Sequence, residues 1–249
     1  MRFRIVCAYV AAFGLLVSLG VAALGEAALA GERQGSAYGT LVRLSDERTI
    51  TRWATPLRTA RIYAAPSASA RAAGKLRFLT EDRMPEVYIA LTLATNSEGS
   101  WVRIRIPGRP NGQLGWVRRS AFGDLVRNEF RLVVNRRSLH VRLFRAGKQI
   151  FRARIGIGAA RTPTPGGRFW IREKLRFSRN ALYGRHALGT SAYAPTLSEW
   201  PGGGVVGIHG TSSPSLIPGR PSHGCIRLRN AAMAKLWRMT PLGTPLRIL

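Results

Sequence analysis

Acidic side chains are scarce in this chain. Its 249 residues include 12 Asp and Glu against 39 Lys and Arg, which gives a formal charge of +27 at pH 7. From residue 128 to the C-terminus the acidic side chains are Glu129, Glu173 and Glu199, and no Asp occurs there. This shortage disfavours a Ser-His-Asp triad, a pair of catalytic carboxylates and a multi-carboxylate cation site in that half of the chain.

Cysteine and long apolar runs are also rare. Cys7 lies in the N-terminal apolar segment and Cys225 is the second of two cysteines. Once that segment is removed, no internal disulfide can form, and a solitary thiol is either buried and inert or kept for its reactivity. No run after residue 24 is long and apolar enough to span a bilayer, which excludes a polytopic membrane protein. The 27 Gly and 14 Pro favour short strands and turns over long helices.

The N-terminus has the three parts of an export signal. Arg2 and Arg4 precede an apolar run over 5–24, and the small-residue stretch Ala28-Leu29-Ala30 follows. We therefore predict a signal peptide over 1–30, with an uncleaved anchor through 5–24 as the alternative. Both interpretations predict an exported protein, in the periplasm or the cell wall. For such a protein the positive charge favours anionic envelope polymers and lipid head groups as partners, and no nucleic acid is expected. The alternative is a compositional bias toward Arg, with most cations on solvated faces.

The chain after the signal divides into three parts. Residues 31–52 are polar and weakly patterned, which predicts a linker. Residues 53–124 contain short strand-like runs between turns, for example Val102, Ile104 and Ile106 alternating with arginines. The runs Ile62-Tyr63-Ala64-Ala65-Pro66, Gly99-Ser100-Trp101-Val102-Arg103-Ile104 and Gly115-Trp116-Val117 resemble bacterial SH3-like domains of cell-wall enzymes. The resemblance implies a small β-barrel, in which Trp101 and Trp116 are expected to be core aromatics; a wall-binding role for them is the alternative.

The third part, 128–249, is again rich in strands. Ala146-Gly147-Lys148 predicts a hairpin turn between two alternating runs. One short helix is expected, with Asn230 as its N-cap and Met233, Leu236 and Trp237 on one face. A closing strand is predicted over 245–249. The fold class is therefore mostly β, with a small barrel followed by a β-rich domain that has one or two short helices.

The residues with chemical potential lie between 203 and 228. An apolar strand ends at His209-Gly210-Thr211, and Ser222-His223-Gly224-Cys225 follows a Pro/Gly/Ser-rich loop. A cysteine nucleophile needs a base and a thiol pKa lowered from about 8.5, and histidine is the neutral-pH base available. The nearby Arg220 and Arg227 are expected to favour the thiolate. In a strand, His223 and Cys225 would share one face, and backbone N–H groups around Gly224 could serve an oxyanion hole.

This segment resembles the L,D-transpeptidase catalytic domain of the YkuD type. The resemblance rests on Ser222-His223-Gly224-Cys225-Ile226-Arg227-Leu228, on Ile208-His209-Gly210-Thr211 and on the upstream Thr162-Pro163-Thr164-Pro165-Gly166-Gly167-Arg168-Phe169, and it covers about 120 residues. It implies that Cys225 is the nucleophile and His209 the proton donor and acceptor. It also implies supporting or oxyanion roles for His223, Gly224, Ser222 and Gly210, with the Gly210 carbonyl orienting the imidazole. Arg227 is implied as a substrate-binding residue, and no cofactor or metal is implied.

The resemblance also implies a reaction. The cysteine would take the acyl group of a peptidoglycan tetrapeptide stem and release D-Ala. An amine of a neighbouring stem would then form a 3→3 cross-link, so that stem peptides act as both donor and acceptor. Water as acceptor would give a carboxypeptidase.

Four other interpretations fit parts of the pattern less well. A sortase would place its Cys in a T-L-x-T-C context, and a papain-like peptidase would place Cys before His. A zinc site of His209, His223 and Cys225 has suitable ligands, but a metal would quench the thiolate. A non-catalytic wall-binding protein would leave the Cys-His cluster inert. His140 and His186 stand in no motif and are expected to be structural.

Overall fold

The computed structural model describes residues 38–178, 182–197 and 203–249. The signal or anchor predicted over 1–30 lies outside the described residues. Within these ranges, no helix is long and apolar enough to cross a membrane. Strands account for 48% of the described residues and helices for 8%, and the strands form two β-sheets, which confirms the prediction of a mostly β protein. We call residues 38–128 the N-terminal unit and residues 129–249 the C-terminal unit.

The N-terminal unit is an eight-stranded sheet in which every pairing is antiparallel. Its strands are β1 (Thr40–Arg43), β2 (Thr51–Ala54), β3 (Arg61–Tyr63), β4 (Ala72–Lys75), β5 (Tyr88–Asn96), β6 (Gly99–Arg105), β7 (Leu114–Arg118) and β8 (Val126–Asn128). They follow the order β4-β3-β7-β6-β5-β2-β8, and β1 pairs with β5. A 3-10 turn, Arg119–Ala121, follows β7.

Three sequence predictions concern this unit. Trp101 and Trp116 are 0% and 6% exposed, so they are core aromatics, as expected. The prediction of a linker over 31–52 is wrong for its described part, because β1 and the start of β2 pair with β5. The four side chains of β1 are all exposed, so this strand has no buried face and its sequence lacks the alternating hydrophobic pattern that predicts a strand. The resemblance to an SH3-like barrel stays a prediction.

The C-terminal unit is a ten-stranded sheet with one α-helix. Its strands are β9 (Phe130–Asn135), β10 (His140–Arg145), β11 (Lys148–Arg154), β12 (Gly156–Gly158), β13 (Gly167–Arg176), β14 (His186–Tyr193), β15 (Val205–His209), β16 (Gly219–Ser222), β17 (Ile226–Arg227) and β18 (Pro245–Ile248). The order is β11-β10-β9-β18-β13-β14-β15-β17-β12-β16. The helix, α1, spans Asn230–Met239, and a 3-10 turn spans Pro214–Leu216.

A single apolar core lies under the C-terminal sheet and α1. The predicted hairpin forms between β10 and β11, where Ala146 and Gly147 adopt positive φ. The helix turns Met233 and Leu236 into the core, and the predicted closing strand is β18. Burial of such side chains contributes about 1.5–3 kcal/mol each. The core includes Leu132, Val134, Val141, Leu143, Ile171, Leu188, Ile208, Ile226, Met233, Leu236 and Ile248.

The two units meet through a buried ion-pair cluster beside an apolar contact. Arg172 of β13 donates from Nε to Oε1 of Glu86 at 2.7 Å, from Nη2 to Oε2 of the same carboxylate, and from Nη1 to Glu81 at 3.0 Å. The side chains of Arg172 and Glu86 are both fully buried. Next to them, the indole of Trp170 donates to the Val87 carbonyl at 2.7 Å. This contact fixes β13 against β5 and so joins the two sheets.

Loss of the Arg172 guanidinium should destabilise the whole chain. Arg172→Leu leaves Glu86 buried with its main partner removed, and breaking such a pair costs about 3–5 kcal/mol. We expect urea unfolding of the full chain to report a loss of this size. Arg103→Leu, which removes an exposed arginine of β6, should change stability by less than about 0.5 kcal/mol. A loss below about 1 kcal/mol for Arg172→Leu would contradict the role assigned to this pair.

Candidate active site

The register of two parallel strands brings His209 and Arg227 together on one face of the sheet, and Arg227 lies close to Cys225 in the chain. In β15 and β17, Ile208 pairs with Ile226 and His209 pairs with Arg227. Both isoleucines are fully buried in the core. Because side chains alternate along a strand, the residues next to them point to the opposite face. His209 and Arg227 therefore share that face, and Cys225 directly precedes β17.

Cys225 follows a sharp bend and does not continue a strand. β16 ends at Ser222, and His223 and Gly224 form a bend before Cys225. Gly224 has φ +122, a conformation that side chains other than glycine rarely adopt. The expectation that His223 and Cys225 lie on one face of a strand is therefore wrong, because this glycine breaks the alternation. Both residues nevertheless line the same pocket.

The bend is held by the threonine-rich turn that the sequence singled out. Thr164 is buried; its hydroxyl donates to the Gly224 carbonyl at 2.7 Å and accepts the Gly158 N–H at 2.9 Å. Thr162 donates to the Ser222 carbonyl at 3.3 Å. Inside the bend, Ser222 Oγ donates to the Cys225 carbonyl at 2.6 Å and accepts the Gly224 N–H at 3.2 Å. Hydroxyl groups thus bind backbone groups of Ser222, Gly224 and Cys225 in the bend.

A backbone carbonyl orients the buried imidazole of His209. His209 is 4% exposed, and its Nδ1 lies 2.6 Å from the Gly210 carbonyl oxygen. Since a carbonyl oxygen only accepts, Nδ1 carries the proton and Nε2 carries the lone pair. Among the described residues no hydrogen-bond partner reaches Nε2, and the Tyr183 ring packs edge-on with centroids 4.6 Å apart. The expected contact with Gly210 is confirmed, and it leaves Nε2 as the ring nitrogen that can accept a proton.

Asn230 supports the turn that contains Gly210, a role that the sequence did not reveal. The N-cap of α1 is Arg229, and no side chain caps the helix, so the prediction of Asn230 as N-cap is wrong. Asn230 Oδ1 instead accepts the Thr211 N–H at 2.8 Å. A Cβ on Gly210 would lie 2.2 Å from this oxygen. Gly210 is therefore the residue that lets the amide of Asn230 reach the turn after His209.

Burial sets the protonation of both reactive groups. Burial lowers the pKa of His209 to about 4, with a smaller rise from the Gly210 carbonyl and a further decrease from the charge of Arg227. Burial raises the pKa of the Cys225 thiol, although a backbone hydrogen bond with Gly207 and the charge of Arg227 lower it. Arg227 lowers the thiol pKa, as expected, but the expected net lowering is wrong, because desolvation outweighs the nearby charge. Both shifts favour the neutral forms, a thiol and an imidazole, near pH 7.

The pocket around these groups includes residues outside the recognised motif. Arg227 lines it, whereas Arg220 is exposed and is not part of the lining. Within the described ranges, no three His, Cys, Asp or Glu side chains form a group that could hold a metal ion. The segment after β14 and the start of β15 form one wall. The lining residues are Tyr183, Ala194, Leu197, Gly204, Val205, Val206, His209, His223, Cys225 and Arg227.

Residues 129–248 match the family model described as YkuD, the L,D-transpeptidase catalytic domain. These residues form a YkuD domain. The match spans the C-terminal unit from β9 to β18, and it includes the turn of Thr162 and Thr164, His209 and Cys225. The domain assignment rests on this family model. No curated protein matches the chain.

Solved structures show partial likeness to the chain. An L,D-transpeptidase of Enterococcus faecium is 25% identical over 48% of this chain and 49% of its own, with a TM-score of 0.39. An L,D-transpeptidase from Mycobacterium smegmatis is 17% identical over 60% of this chain and 90% of its own, with a TM-score of 0.40. The chain thus spans about half the length of the Enterococcus protein.

The neutral resting state predicts how Cys225 of the YkuD domain reacts with a small alkylating agent. Because its pKa is raised, the rate of alkylation by iodoacetamide should still be rising at pH 8.5, the ordinary thiol pKa, with no plateau at lower pH. Arg227→Ala should slow the reaction at pH 7 by about threefold or more, since a charge that favours the thiolate is lost. Arg220→Ala is the matched control and should not. The Cys225 peptide is followed by mass spectrometry; a plateau near pH 6 would indicate a preformed thiolate and contradict the assignment.

The contact of Gly210 with Asn230 predicts a non-additive pair of substitutions. Asn230→Ala should lower the free energy of unfolding by about 0.5–1.5 kcal/mol, the net value of one hydrogen bond. Gly210→Ala should cost about 1–3 kcal/mol through overpacking. In the double variant the closest clash of the added methyl group, with Asn230 Oδ1, is gone, so the total cost should be smaller than the sum. Strict additivity in urea unfolding would show that the two side chains do not compete for this space.

Proposed function

We propose that the chain is an exported L,D-transpeptidase in which Cys225 transfers peptidoglycan stem peptides. The observation that carries the proposal is the pocket of a YkuD domain that is lined by both Cys225 and His209, whose Nδ1 is bound by the Gly210 carbonyl. The L,D-transpeptidase domain supports the class of reaction. Export, the stem-peptide substrate and the 3→3 product are parts of the proposal.

In the first step the thiol of Cys225 attacks the carbonyl carbon between the third stem residue and the terminal D-Ala. Nε2 of His209 accepts the thiol proton during the attack, so no thiolate has to exist beforehand. The tetrahedral intermediate collapses as the C–N bond breaks, and His209 returns the proton to the leaving amine. D-Ala departs and the acyl group remains as a thioester on Cys225.

In the second step an amine on the third residue of a neighbouring stem attacks the thioester. His209 takes a proton from this amine and gives it to the departing sulfur, which regenerates the neutral pair. The product is a 3→3 peptide bond. No external oxidant, reductant or cofactor enters either step.

The bend of residues 222–225 is proposed to supply the oxyanion donors. The Gly224 N–H already donates to Ser222 Oγ, so Ser222 holds the shape of the bend more directly than it contacts substrate. This bond and the Thr164 hydroxyl fix the bend before substrate arrives, and fixed backbone donors stabilise an oxyanion without reorganisation.

Arg227 is proposed to bind a carboxylate of the stem peptide. It lines the pocket beside Cys225, and its Nε is buried without a hydrogen-bond partner among the described residues. A guanidinium forms bidentate hydrogen bonds with a carboxylate. The formal charge of +27 also supports anionic envelope polymers as partners outside the pocket.

Product analysis with a disaccharide-tetrapeptide tests this function. The full chain should release D-Ala and form cross-linked dimers. Cys225→Ala should reduce D-Ala release by about 1,000-fold or more, and His209→Ala by about 100-fold or more. His140→Ala, which changes a histidine of β10 outside the pocket, is the matched control and should leave release unchanged. Undiminished release by Cys225→Ala would refute the nucleophile, and D-Ala release without dimers would make water the acceptor.

A further inference from the structure

One turn of the N-terminal unit reaches the backbone that forms a wall of the pocket. The turn connects β6 and β7, and its Arg109 extends to the C-terminal unit. Nη1 of Arg109 donates to the Gly203 carbonyl at 2.8 Å. Nη2 donates to the carbonyls of Ala194 and Leu197, at 3.0 Å each. One guanidinium thus joins three carbonyls from two stretches of backbone.

The side-chain amide of Asn111, in the same turn, binds both the carbonyl and the N–H of Tyr193. Its Nδ2 donates to the Tyr193 carbonyl at 2.8 Å, and its Oδ1 accepts the Tyr193 N–H at 3.0 Å. The guanidinium of Arg109 lies 5.0 Å from the centre of the Tyr193 ring. At the far end of that ring, the hydroxyl binds Glu81 and Arg77. Both ends of Tyr193 are therefore held by the N-terminal unit.

The backbone held in this way belongs to the pocket. Ala194, directly after Tyr193, lines the pocket together with Leu197 and Gly204. The Ala194 N–H donates to the Gly204 carbonyl at 2.8 Å, which joins the two stretches. Gly204 has φ +75, and a Cβ there would lie 1.8 Å from the Leu197 carbonyl and 2.5 Å from Arg109 Nη2. A glycine is thus needed where the guanidinium enters.

We propose that Arg109 and Asn111 are positioning residues for the substrate pocket. They hold the backbone of residues 193–197 and 203–204, and this backbone sets the shape of the wall that faces Cys225. The N-terminal unit then helps to form the substrate pocket, in addition to any role in binding the cell wall. The inference rests on the proposed function where it concerns the donor stem peptide.

The contacts of Arg109 and Asn111 are separate from those that hold the reacting groups. Arg109 and Asn111 do not line the pocket. The reacting groups are held by other contacts, namely those of Gly210 with His209 and of Thr164 with Gly224. Loss of the Arg109 and Asn111 contacts should therefore weaken binding of the donor peptide and leave the acyl-transfer steps nearly unchanged.

Steady-state kinetics of the full chain test this separation. Arg109→Ala and Asn111→Ala should each raise KM for the disaccharide-tetrapeptide by about tenfold, with kcat within about twofold of wild type. Arg109→Lys keeps the charge but not the planar fork of donors, so it should restore part of the loss. Arg103→Ala removes an exposed arginine of the neighbouring strand and should change neither constant. An equal loss of kcat and kcat/KM, or an unchanged KM, would overturn the inference.

Hydrogen exchange gives a readout that does not depend on transpeptidase activity. In Arg109→Ala, the amides of residues 193–197 and 203–206 should exchange faster than in wild type, while those of α1 should not change. Unchanged exchange in these segments would overturn the proposed positioning role of Arg109, whether or not the protein releases D-Ala.

Labelling of Cys225 with two thiol reagents of different size tests, without any peptide substrate, whether the pocket wall controls access to the thiol. The ratio of labelling rates for a bulky maleimide and for iodoacetamide should change by at least about threefold in Arg109→Ala and not in Arg103→Ala. If wild type fails to release D-Ala, the proposed function fails, and exchange and labelling still decide the positioning role. Faster exchange with an unchanged labelling ratio would show that the wall does not shape access to Cys225.

Discussion

The imidazole of His209 is held by one hydrogen bond, from its Nδ1–H to the carbonyl of Gly210, and the proposed chemistry depends on that bond. Because a carbonyl can only accept, it fixes the tautomer and leaves Nε2 with the lone pair that the proposed base requires. An acidic orienting residue is unnecessary in this arrangement, which fits a half of the chain with few acids. A neutral acceptor also adds no negative charge that would stabilise an imidazolium, so burial keeps the pKa of His209 at about 4.

The surrounding structure positions both this hydrogen bond and the Cys225 thiol. Parallel pairing of β15 with β17 brings the two strands together, and the core isoleucines fix which face each residue takes. The hydroxyl of Thr164 supports the bend before Cys225, and Asn230 supports the turn after His209. The buried Arg172 cluster then joins the YkuD domain to the N-terminal unit, whose Arg109 holds the pocket wall.

The sequence predicted the features that depend on local spacing. The hairpin at Ala146 and the buried face of α1 follow from patterns within a few residues, and the structure confirms both. The family resemblance implied the contact of the Gly210 carbonyl with His209, which the structure also confirms. The domain type followed from motifs around Thr164 and Cys225, and the family model confirms it. The catalytic roles of the individual residues stay predictions.

Other features depend on contacts between distant residues, which local patterns do not reveal. The thiol pKa was expected to fall because arginines are near in sequence, but it rises because burial is a property of the folded pocket. Asn230 seemed to be a cap because it begins a helix, yet its partner lies 19 residues away. The contacts of Arg109 with Ala194 and Leu197 cross between units, and the Pro- and Gly-containing turn that carries Arg109 gives no sign of them. In the first sheet, β1 is fully exposed and therefore looked like a linker.

The protonation state of His209 tests the central claim most directly. Nitrogen-15 NMR of the full chain, with histidine side chains labelled, reports both the tautomer and the charge of the ring between pH 5 and 8. The account predicts a neutral imidazole protonated at Nδ1 throughout this range. An imidazolium at pH 7, or a ring protonated at Nε2, would contradict it.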